Sequence, residues 1–266
     1  MSDVTLIAAP YHLGRKDVGL GKGVPVLVEA LGGGDVSVEH QADFMNEVSA
    51  SMGVIRELAD RVRETVAAGS FPFVVAGNCN SSLGTVAGLG GEVGVVWFDA
   101  HADFNTPDTT ETGFFDGFGL AMLTGSGWPK LREGLPTIPE GHVVLVGARD
   151  IDLEERRRLD ASDVQAVSIT ELEPALDELR SRVDSVYVHV DLDVLDPSVG
   201  WANWYAVEGG PQLDELADAI DAIGERFTIR AAALTAYAPE CDPERAIPAA
   251  AKVVFDRVVA KTGVAA

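Results

Sequence analysis

The sequence predicts a single-domain three-layer αβα sandwich with a mainly parallel, doubly wound sheet. Apolar, β-branched runs alternate with amphipathic segments along the 266 residues. These runs are continuously apolar, which is typical of parallel strands buried on both faces. No linker, low-complexity segment or internal repeat divides the chain, so we expect one domain over residues 1–266.

Seven apolar runs predict the strands, at residues 4–9, 73–76, 93–98, 142–147, 164–168, 186–191 and 229–235. The clearest helices between them are predicted at residues 49–68, 170–183 and 213–227. Pro174 falls near the start of the second helix and Pro211 just before the third, and helices tolerate proline at both places. The repeated strand–helix order indicates helices on both sides of the sheet.

The net charge of −22 comes from 42 acidic and 20 basic residues. A negative field repels nucleic acid and anionic membrane surfaces, so we expect neither as a partner. It favours cationic substrates or metal ions, although a solvated surface or a salty habitat explains most of the charge equally well.

Cysteine content and the first residues indicate the compartment. Cys79 and Cys241 are too few for a disulfide framework, which suits a reducing cytosol. The first 14 residues read as a strand and not as a signal peptide. No apolar run reaches the roughly 18 to 20 residues that a membrane helix needs. We therefore expect a cytoplasmic protein.

Unusual polar residues follow three of the predicted strands. These segments are AGNCNSSLG at residues 76–84, WFDAHADFN at 97–105 and HVDLDVLDPS at 189–198. Ligands of open α/β sheets bind beyond the carboxyl ends of the strands. In an extended segment alternate side chains share a face, so Asp99, His101 and Asp103 should converge.

Asp191 and Asp193 show the same spacing at a second strand end. Four carboxylates brought together repel one another unless cations lie between them. Carboxylates with an imidazole suit Mn²⁺, with other divalent metals as alternatives. We expect two ions about 3.5–4 Å apart that activate a shared water. Taken singly, each acid would be a cap or turn residue, as Asp196 is before Pro197.

These motifs resemble those of the ureohydrolase superfamily, which includes arginase, agmatinase and formimidoylglutamase. DAHAD at residues 99–103 and DLDVLDPS at 191–198 are similar to its two hallmark metal motifs. GNCNSSLG at residues 77–84 stands where the family usually has Gly-Gly-Asp-His-Ser. A weaker match covers residues 19–31, and the resemblance spans most of the chain.

The resemblance implies a ligand set and a chemistry. One metal would take Cys79, Asp99, Asp103 and Asp191, and the other His101, Asp99, Asp191 and Asp193. A hydroxide between the two metals would attack an amidine or guanidine carbon. The candidate catalytic residues on this basis are Asp103 and Asp116.

Two further segments resemble the amino-acid-binding loops of arginases. NTPDTTETG at residues 105–113 resembles the loop that grips a substrate carboxylate, with Asn105, Thr110 and Thr112 in place. VGARDIDLEE at residues 146–155 resembles the segment that receives the α-amino group, with Asp150 and Asp152 in place and Glu155 a weaker match. The expected partner is a small-molecule α-amino acid substrate.

The chain departs from the family at three positions. Cys79 replaces the usual metal-binding histidine; a thiolate can ligate metal, and the alternative is a buried structural cysteine. Asp116 stands where arginases have a proton-shuttle histidine. Ala236 stands where the family has a guanidinium-binding glutamate, and Glu240 is the candidate to replace it.

The first two departures resemble a branch that hydrolyses Nω-hydroxyarginine to hydroxyurea and ornithine. We therefore expect an Mn²⁺-dependent amidinohydrolase with that substrate. The alternatives are arginase, agmatinase or formimidoylglutamase activity, and a catalytically weak binding protein that keeps the fold. The oligomeric state is left undecided by the sequence, with a homo-oligomer as one alternative.

The aromatic segment around Trp201, Trp204 and Tyr205 is either a pocket wall or lid, or packing at the edge of the site. His189 is expected in the core or behind the metal ligands.

Overall fold

The computed structural model describes residues 4–40, 46–90 and 93–262. Eight strands form one sheet in the order β4-β1-β5-β10-β9-β6-β7-β8, and every neighbouring pair is parallel. The strands are β1 (Val4–Ala9), β4 (Val36–Ser37), β5 (Phe71–Ala76), β6 (Gly94–Phe98), β7 (Val143–Val146), β8 (Gln165–Val167), β9 (Ser185–Asp191) and β10 (Thr228–Thr235). A small antiparallel hairpin pairs β2 (Tyr11–His12) with β3 (Arg15–Lys16).

The predicted fold class is confirmed, and each of the seven predicted strands is present. The largest difference is at β5, which begins at Phe71 and so includes Pro72. Proline cannot donate to a strand ladder, but near the start of a strand this loss is tolerated. Strand β4 was not predicted, because its two residues are too short to form a pattern.

Eight α-helices are described around the sheet. They are α1 (Gly23–Ala30), α2 (Glu47–Ala67), α3 (Ser82–Leu89), α4 (Gly119–Leu123), α5 (Leu153–Asp160), α6 (Leu172–Arg180), α7 (Leu213–Arg226) and α8 (Ala246–Lys261). The predicted helices correspond to α2, α6 and α7. Helix α6 is shorter than predicted because a 3₁₀ turn at Ile169–Glu171, closed by a capping box from Ser168, precedes it.

Each face of the sheet carries its own apolar core. One core includes Leu58 of α2 and Val86 of α3, packed beneath the sheet residue Trp97. The other includes Leu176 of α6 and Ile220 of α7 and extends to α1 and α8. Burial on both faces explains why the strands are continuously apolar. Within the described residues, no helix combines the length and apolarity needed to cross a bilayer.

The register of the central strands brings their carboxyl ends level. Thr235 of β10 lies beside Ala76 of β5 on one side and Asp191 of β9 on the other. Phe98 of β6 pairs with Val190 of β9. The segments that follow β5, β10, β9 and β6 therefore meet at one edge of the sheet, where open α/β sheets bind ligands.

Candidate metal centre and substrate cavity

The strand ends form the floor of a cavity of about 540 Å³. Its floor includes Cys79 after β5, Ala236 after β10, Asp191 and Asp193 at the end of β9, and Asp99, His101 and Asp103 after β6. Asp103 and Ala236 both have left-handed backbones, with φ of 50° and 64°. Such conformations are uncommon for non-glycine residues, and backbone strain of this kind concentrates at functional sites.

Asp99, His101 and Asp193 form one cluster of metal-compatible atoms, all within 4.8 Å of one another. His101 Nδ1 lies 3.3 Å from Asp99 Oδ1 and 3.5 Å from Asp193 Oδ2. Trp97 Nε1 donates to Asp99 Oδ2 (3.1 Å), and the backbone N–H of Ala100 donates to Asp193 Oδ1 (3.2 Å). The sheet therefore holds these carboxylates in fixed orientations.

Cys79 and Asp191 form a second pair in the same cavity. Cys79 Sγ donates to Asp191 Oδ2 at 2.8 Å, and the backbone N–H of Asp193 donates to Asp191 Oδ1 at 2.8 Å. Asp103 Oδ2 is buried and has no hydrogen-bond partner among the described residues. Asp191 thus lies between the sulfur and the Asp193 end of the cluster.

The pKa values show the electrostatic cost of this arrangement. Burial raises the pKa of Asp99, Asp103 and Asp191, and neighbouring carboxylates raise it further. Burial also raises the pKa of the Cys79 thiol, reinforced by Asp191. For His101, burial lowers the pKa, but Asp99 and Asp193 outweigh it and raise the value to about 9. The metal-free site therefore retains protons that ordinary acids would release.

The donor set fits divalent cations. A buried carboxylate oxygen without a donor, such as Asp103 Oδ2, is costly unless a cation or proton satisfies it. Carboxylates with one imidazole suit Mn²⁺ and its neighbours, whereas the Cys79 sulfur is a softer ligand. Each of the six residues predicted as ligands lies in the cavity lining.

His189 lies beneath this floor, fully buried on β9. Its ring stacks on Trp97 of β6, with centroids 3.7 Å apart, because the two residues are register partners. Nδ1 faces Ser82 Oγ at 2.9 Å, and Nε2 faces Thr235 Oγ1 at 3.4 Å. Burial lowers the pKa of His189 to about 3, so the ring is neutral. His189 is not part of the cavity lining.

Asp116 lines the cavity but is turned toward the Cys79 segment. Asn78 Nδ2 donates to Asp116 Oδ2, and the backbone N–H of Asn80 donates to Asp116 Oδ1 (3.0 Å). Burial raises the pKa of Asp116 to about 7, against the lowering effect of these hydrogen bonds. The pairing of Asp116 with Asn78 was not anticipated, since the two are 38 positions apart.

The two predicted substrate loops both line the cavity. Asn105, Thr110 and Thr112 belong to one loop, and Asp150 and Asp152 belong to the other. Asn105 Nδ2 donates to Asp152 Oδ2 at 3.3 Å, which joins the two loops. Glu155 is buried in α5 and accepts from the backbone N–H of Phe104 (2.8 Å). Burial raises the pKa of Glu155 to about 7.

The structure does not bring Glu240 to the cavity. Glu240 is exposed in the turn after β10, and it is not among the lining residues. Three residues separate it from Ala236, and two of them, Tyr237 and Ala238, are buried in the two cores and do not line the cavity. The expectation that Glu240 replaces the family's glutamate is therefore not supported by its position.

Asn203 is a cavity residue that the sequence did not reveal. It is fully buried, and its Nδ2 donates to Asp193 Oδ2 (3.1 Å) and to the carbonyl of Ala236 (2.8 Å). Its Oδ1 accepts from the backbone N–H of Tyr205 (2.8 Å). Asn203 lies in the segment singled out for its aromatic residues, but an asparagine among tryptophans carries no motif.

The aromatic segment contributes one wall. Tyr205 lines the cavity and contacts the ring of Phe114 (5.6 Å between centroids) and that of His101 (6.3 Å). Trp201 and Trp204 do not line the cavity and are about half exposed. The prediction of a pocket wall therefore holds for Tyr205, and neither tryptophan is packed against the site.

Comparison with known proteins agrees with this geometry. A sequence model of the arginase family matches residues 3–259. The chain is 28% identical over 277 aligned positions to an arginase of Bacillus caldovelox, covering 91% of this chain and 93% of the relative. It is 30% identical over 227 positions to an arginase of Bacillus subtilis strain 168, covering 73% and 76%. The solved structure of the B. caldovelox arginase superimposes with a TM-score of 0.86 and 27% identity, covering 100% of this chain and 99% of that one.

Proposed function

The chain belongs to the arginase family, and on that basis we propose that it is a metal-dependent hydrolase of linear guanidino compounds whose substrate is Nω-hydroxy-L-arginine. The products would be hydroxyurea and ornithine, formed with the addition of one water. The observation that carries the proposal is the convergence of five acidic and imidazole side chains with Cys79 at the floor of one cavity.

Two divalent cations, with Mn²⁺ the first choice, would occupy this floor. One would be held by Cys79, Asp99, Asp103 and Asp191, and the other by His101, Asp99, Asp191 and Asp193. When bound, such a pair lowers the pKa of a water molecule and polarises the reacting carbon. The unpartnered Asp103 Oδ2 and the raised pKa values of the buried acids support this assignment.

The loops above the floor would orient an α-amino acid. Asn105, Thr110 and Thr112 offer amide and hydroxyl groups to a carboxylate, while Asp150 and Asp152 offer carboxylates to an ammonium group. The Asn105–Asp152 hydrogen bond fixes the two loops relative to each other. An amino acid held this way would direct its side chain toward the metal floor, where orientation contributes to rate.

The choice of a hydroxylated guanidine rests on the proton that the leaving group needs. An amine leaving group must be protonated as the C–N bond breaks. Asp116 replaces a histidine at the corresponding place, and both of its oxygens accept hydrogen bonds from the Cys79 segment. The departing nitrogen is the ornithine amine in either substrate, but an N-hydroxyl group makes the guanidine less basic and adds an acidic proton next to the reacting carbon. A hydroxyguanidine therefore depends less on a proton donor of the protein and suits a cavity with that arrangement.

Arginine itself is the second candidate substrate. A carboxyl group whose pKa is about 7, as that of Asp116 is, can hold a proton at neutral pH. In that case Asp116 would donate the proton that an unmodified guanidine requires. The absence of a glutamate at Ala236 argues against arginine, because no acid in that place would bind its guanidinium.

A product assay tests the proposal. The Mn²⁺-loaded protein would be incubated separately with arginine, Nω-hydroxyarginine, agmatine and formimidoylglutamate, and an Asp193→Asn variant would serve as the inactive control. We expect hydroxyurea and ornithine from Nω-hydroxyarginine, at a kcat/KM at least tenfold above that for arginine. Preferred turnover of arginine would overturn the substrate assignment. No turnover in the whole panel by protein with two bound metals would overturn the proposed activity and favour a binding protein.

A further inference from the structure

We propose that Thr235, held by His189, is a positioning residue that donates a hydrogen bond to the Cys79 sulfur and so stabilises it as a thiolate ligand at the metal centre. The inference rests on the proposed function, since it presupposes that Cys79 binds metal. It assigns roles to two buried residues beneath the cavity that the proposed reaction does not use directly.

A continuous line of hydrogen-bonding groups leads to the sulfur. Cys79 Sγ lies 3.1 Å from Thr235 Oγ1, which lies 3.4 Å from His189 Nε2. On the other side of the ring, His189 Nδ1 lies 2.9 Å from Ser82 Oγ, which lies 2.8 Å from Tyr187 OH. Each of these five side chains is buried. In a site without bulk water, each donor among these side chains needs an acceptor among its neighbours.

One tautomer of His189 directs this line toward the sulfur. Both ring nitrogens face hydroxyl oxygens, a geometry that a neutral imidazole satisfies with one nitrogen donating and the other accepting. If Nδ1 accepts from the Ser82 hydroxyl, Nε2 carries the proton and donates to Thr235 Oγ1. The single hydroxyl proton of Thr235 is then free to point at Cys79. In this arrangement Tyr187 donates to Ser82, and the hydroxyls of Ser82 and Thr235 each accept one hydrogen bond and donate another.

A thiolate needs such a donor at this place. In the metal-free protein the Cys79 thiol keeps its proton and donates a hydrogen bond to Asp191 Oδ2, at 2.8 Å. If Cys79 and Asp191 both bind metal, that proton must leave, and the sulfur becomes an anion among carboxylates. A hydroxyl donor opposite the cavity stabilises that anion, because hydrogen bonds to charged acceptors are the stronger ones.

The sheet holds the donor in place. Thr235 and His189 project from the same face of the neighbouring strands β10 and β9, since Thr235 pairs with Asp191 and Ala233 with His189. Trp97 stacks on the His189 ring and fixes its plane. Partners behind a metal ligand that orient it in this way typically affect metal affinity 10- to 100-fold.

A competing assignment makes His189 itself a ligand, because donor atoms of Cys79, Asp99 and His189 lie within 4.8 Å of one another. Two observations favour a positioning role instead. His189 is not part of the cavity lining, whereas Cys79 and Asp99 are. Its Nε2 also faces the Thr235 hydroxyl, which stands next to the sulfur.

Substitution with Co²⁺ provides a readout independent of activity, since a cobalt–thiolate bond gives a near-ultraviolet charge-transfer band. The variants are Thr235→Val, which removes the hydroxyl at constant shape, and Thr235→Ser, which keeps it. Thr65→Val is the matched control, because it removes a buried hydroxyl that bonds only within helix α2. Cys79→Ser identifies the band as the sulfur's own.

We expect Thr235→Val to move the band to longer wavelength and to weaken Co²⁺ binding about tenfold or more. Thr235→Ser should restore both properties, and Thr65→Val should change neither. An unchanged band in Thr235→Val would overturn this inference alone. A parent protein whose spectrum is the same with and without Cys79 would instead refute cysteine ligation in the proposed function. Loss of one bound metal in a folded His189→Gln variant, with the band unmoved, would make His189 a ligand and overturn the positioning role.

Discussion

The acidic side chains at the cavity floor favour cation binding and destabilise the metal-free protein. Asp103 is the clearest case, because its buried Oδ2 has no partner among the described residues and burial raises its pKa well above the usual range. A residue kept in such surroundings destabilises the protein unless a positive charge compensates it. Binding residues commonly trade stability for function in this way.

An Asp103→Asn substitution should separate these two effects. The amide removes a charge at nearly constant shape, so we expect the metal-free variant to unfold with a free energy about 1 kcal/mol higher than the parent. The same variant should lose Nω-hydroxyarginine turnover, because one metal loses a ligand. Denaturant unfolding after chelation and a turnover assay measure the two quantities. The control is Asp218→Asn, an exposed acid on α7. Equal destabilisation of the metal-free and metal-loaded forms by Asp103→Asn would contradict this explanation.

Among the elements, the aromatic segment after β9 is hydrogen-bonded to the site through Asn203. Asn203 donates to Asp193 and to the carbonyl of Ala236 and accepts from Tyr205. Its amide therefore links a metal-ligand candidate, the end of β10 and the aromatic wall. A buried loop residue with three hydrogen bonds holds its neighbours more firmly than loop sequence alone suggests.

We predict that Asn203→Ala lowers both stability and metal affinity. Leaving these buried polar groups unpaired costs about 1–3 kcal/mol, and Asp193 loses an orienting donor, which should weaken binding about tenfold. Ser168→Ala is the matched control: it removes a capping box ahead of α6, at a cost of about 1 kcal/mol, without touching the cavity. Calorimetric metal titration and thermal unfolding distinguish the two variants. Metal affinity that falls equally in both would contradict the assigned contact.

Sequence patterns predicted seven strands and three helices, although α8, which was not among them, also buries many apolar residues. The strands are continuous apolar runs, and α2 and α7 have long amphipathic repeats, so both patterns are legible without tertiary information. Helix α5 reads LEERRRLD and has almost no apolar face, while α3 is short and glycine-rich. Their helical conformation depends on tertiary contacts, such as those of Leu159 and Val86 in one apolar core, which local sequence does not encode.

The site was predictable to the extent that its residues follow strand ends at fixed spacing. The aspartates and His101 follow that rule, and the structure places them in one cavity. Thr235 and Asn203 do not, because their contacts with Cys79 and Asp193 depend on which strands are neighbours and on a loop that folds back. Glu240 was expected near the cavity because it follows Ala236 closely in the sequence. Nearness along the chain, however, does not determine the path of the backbone after β10, and Glu240 does not line the cavity.

For the whole molecule, the buried acids link stability to pH and to metal. The pKa of Asp116 is raised to about 7, and those of Asp103 and Asp191 are raised well above the value near 3.9 of an unfolded chain. Between these values the metal-free folded state binds more protons than the unfolded state. The stabilisation is therefore complete below about pH 4 and is lost as pH rises through the folded pKa.

We accordingly predict that the melting temperature of the metal-free protein falls between pH 6 and pH 8. Each group contributes a slope of up to about 1.4 kcal/mol per pH unit while it titrates. With saturating Mn²⁺ the fall should be much smaller, because cations replace the protons and binding stabilises the folded state. Scanning calorimetry across this range, with and without metal, measures both. A metal-free protein whose stability rises over this range would contradict the proton linkage.

Metal stoichiometry tests the central claim, a two-ion centre at the carboxyl ends of the central strands, most directly. Chelated protein would be dialysed against Mn²⁺ and its metal content measured per chain, beside an Asp191→Asn variant. We predict two tightly bound ions in the parent and a loss of tight binding at both positions in the variant, since Asp191 is assigned to both ions. Binding no stronger in the parent than in the variant would contradict the claim.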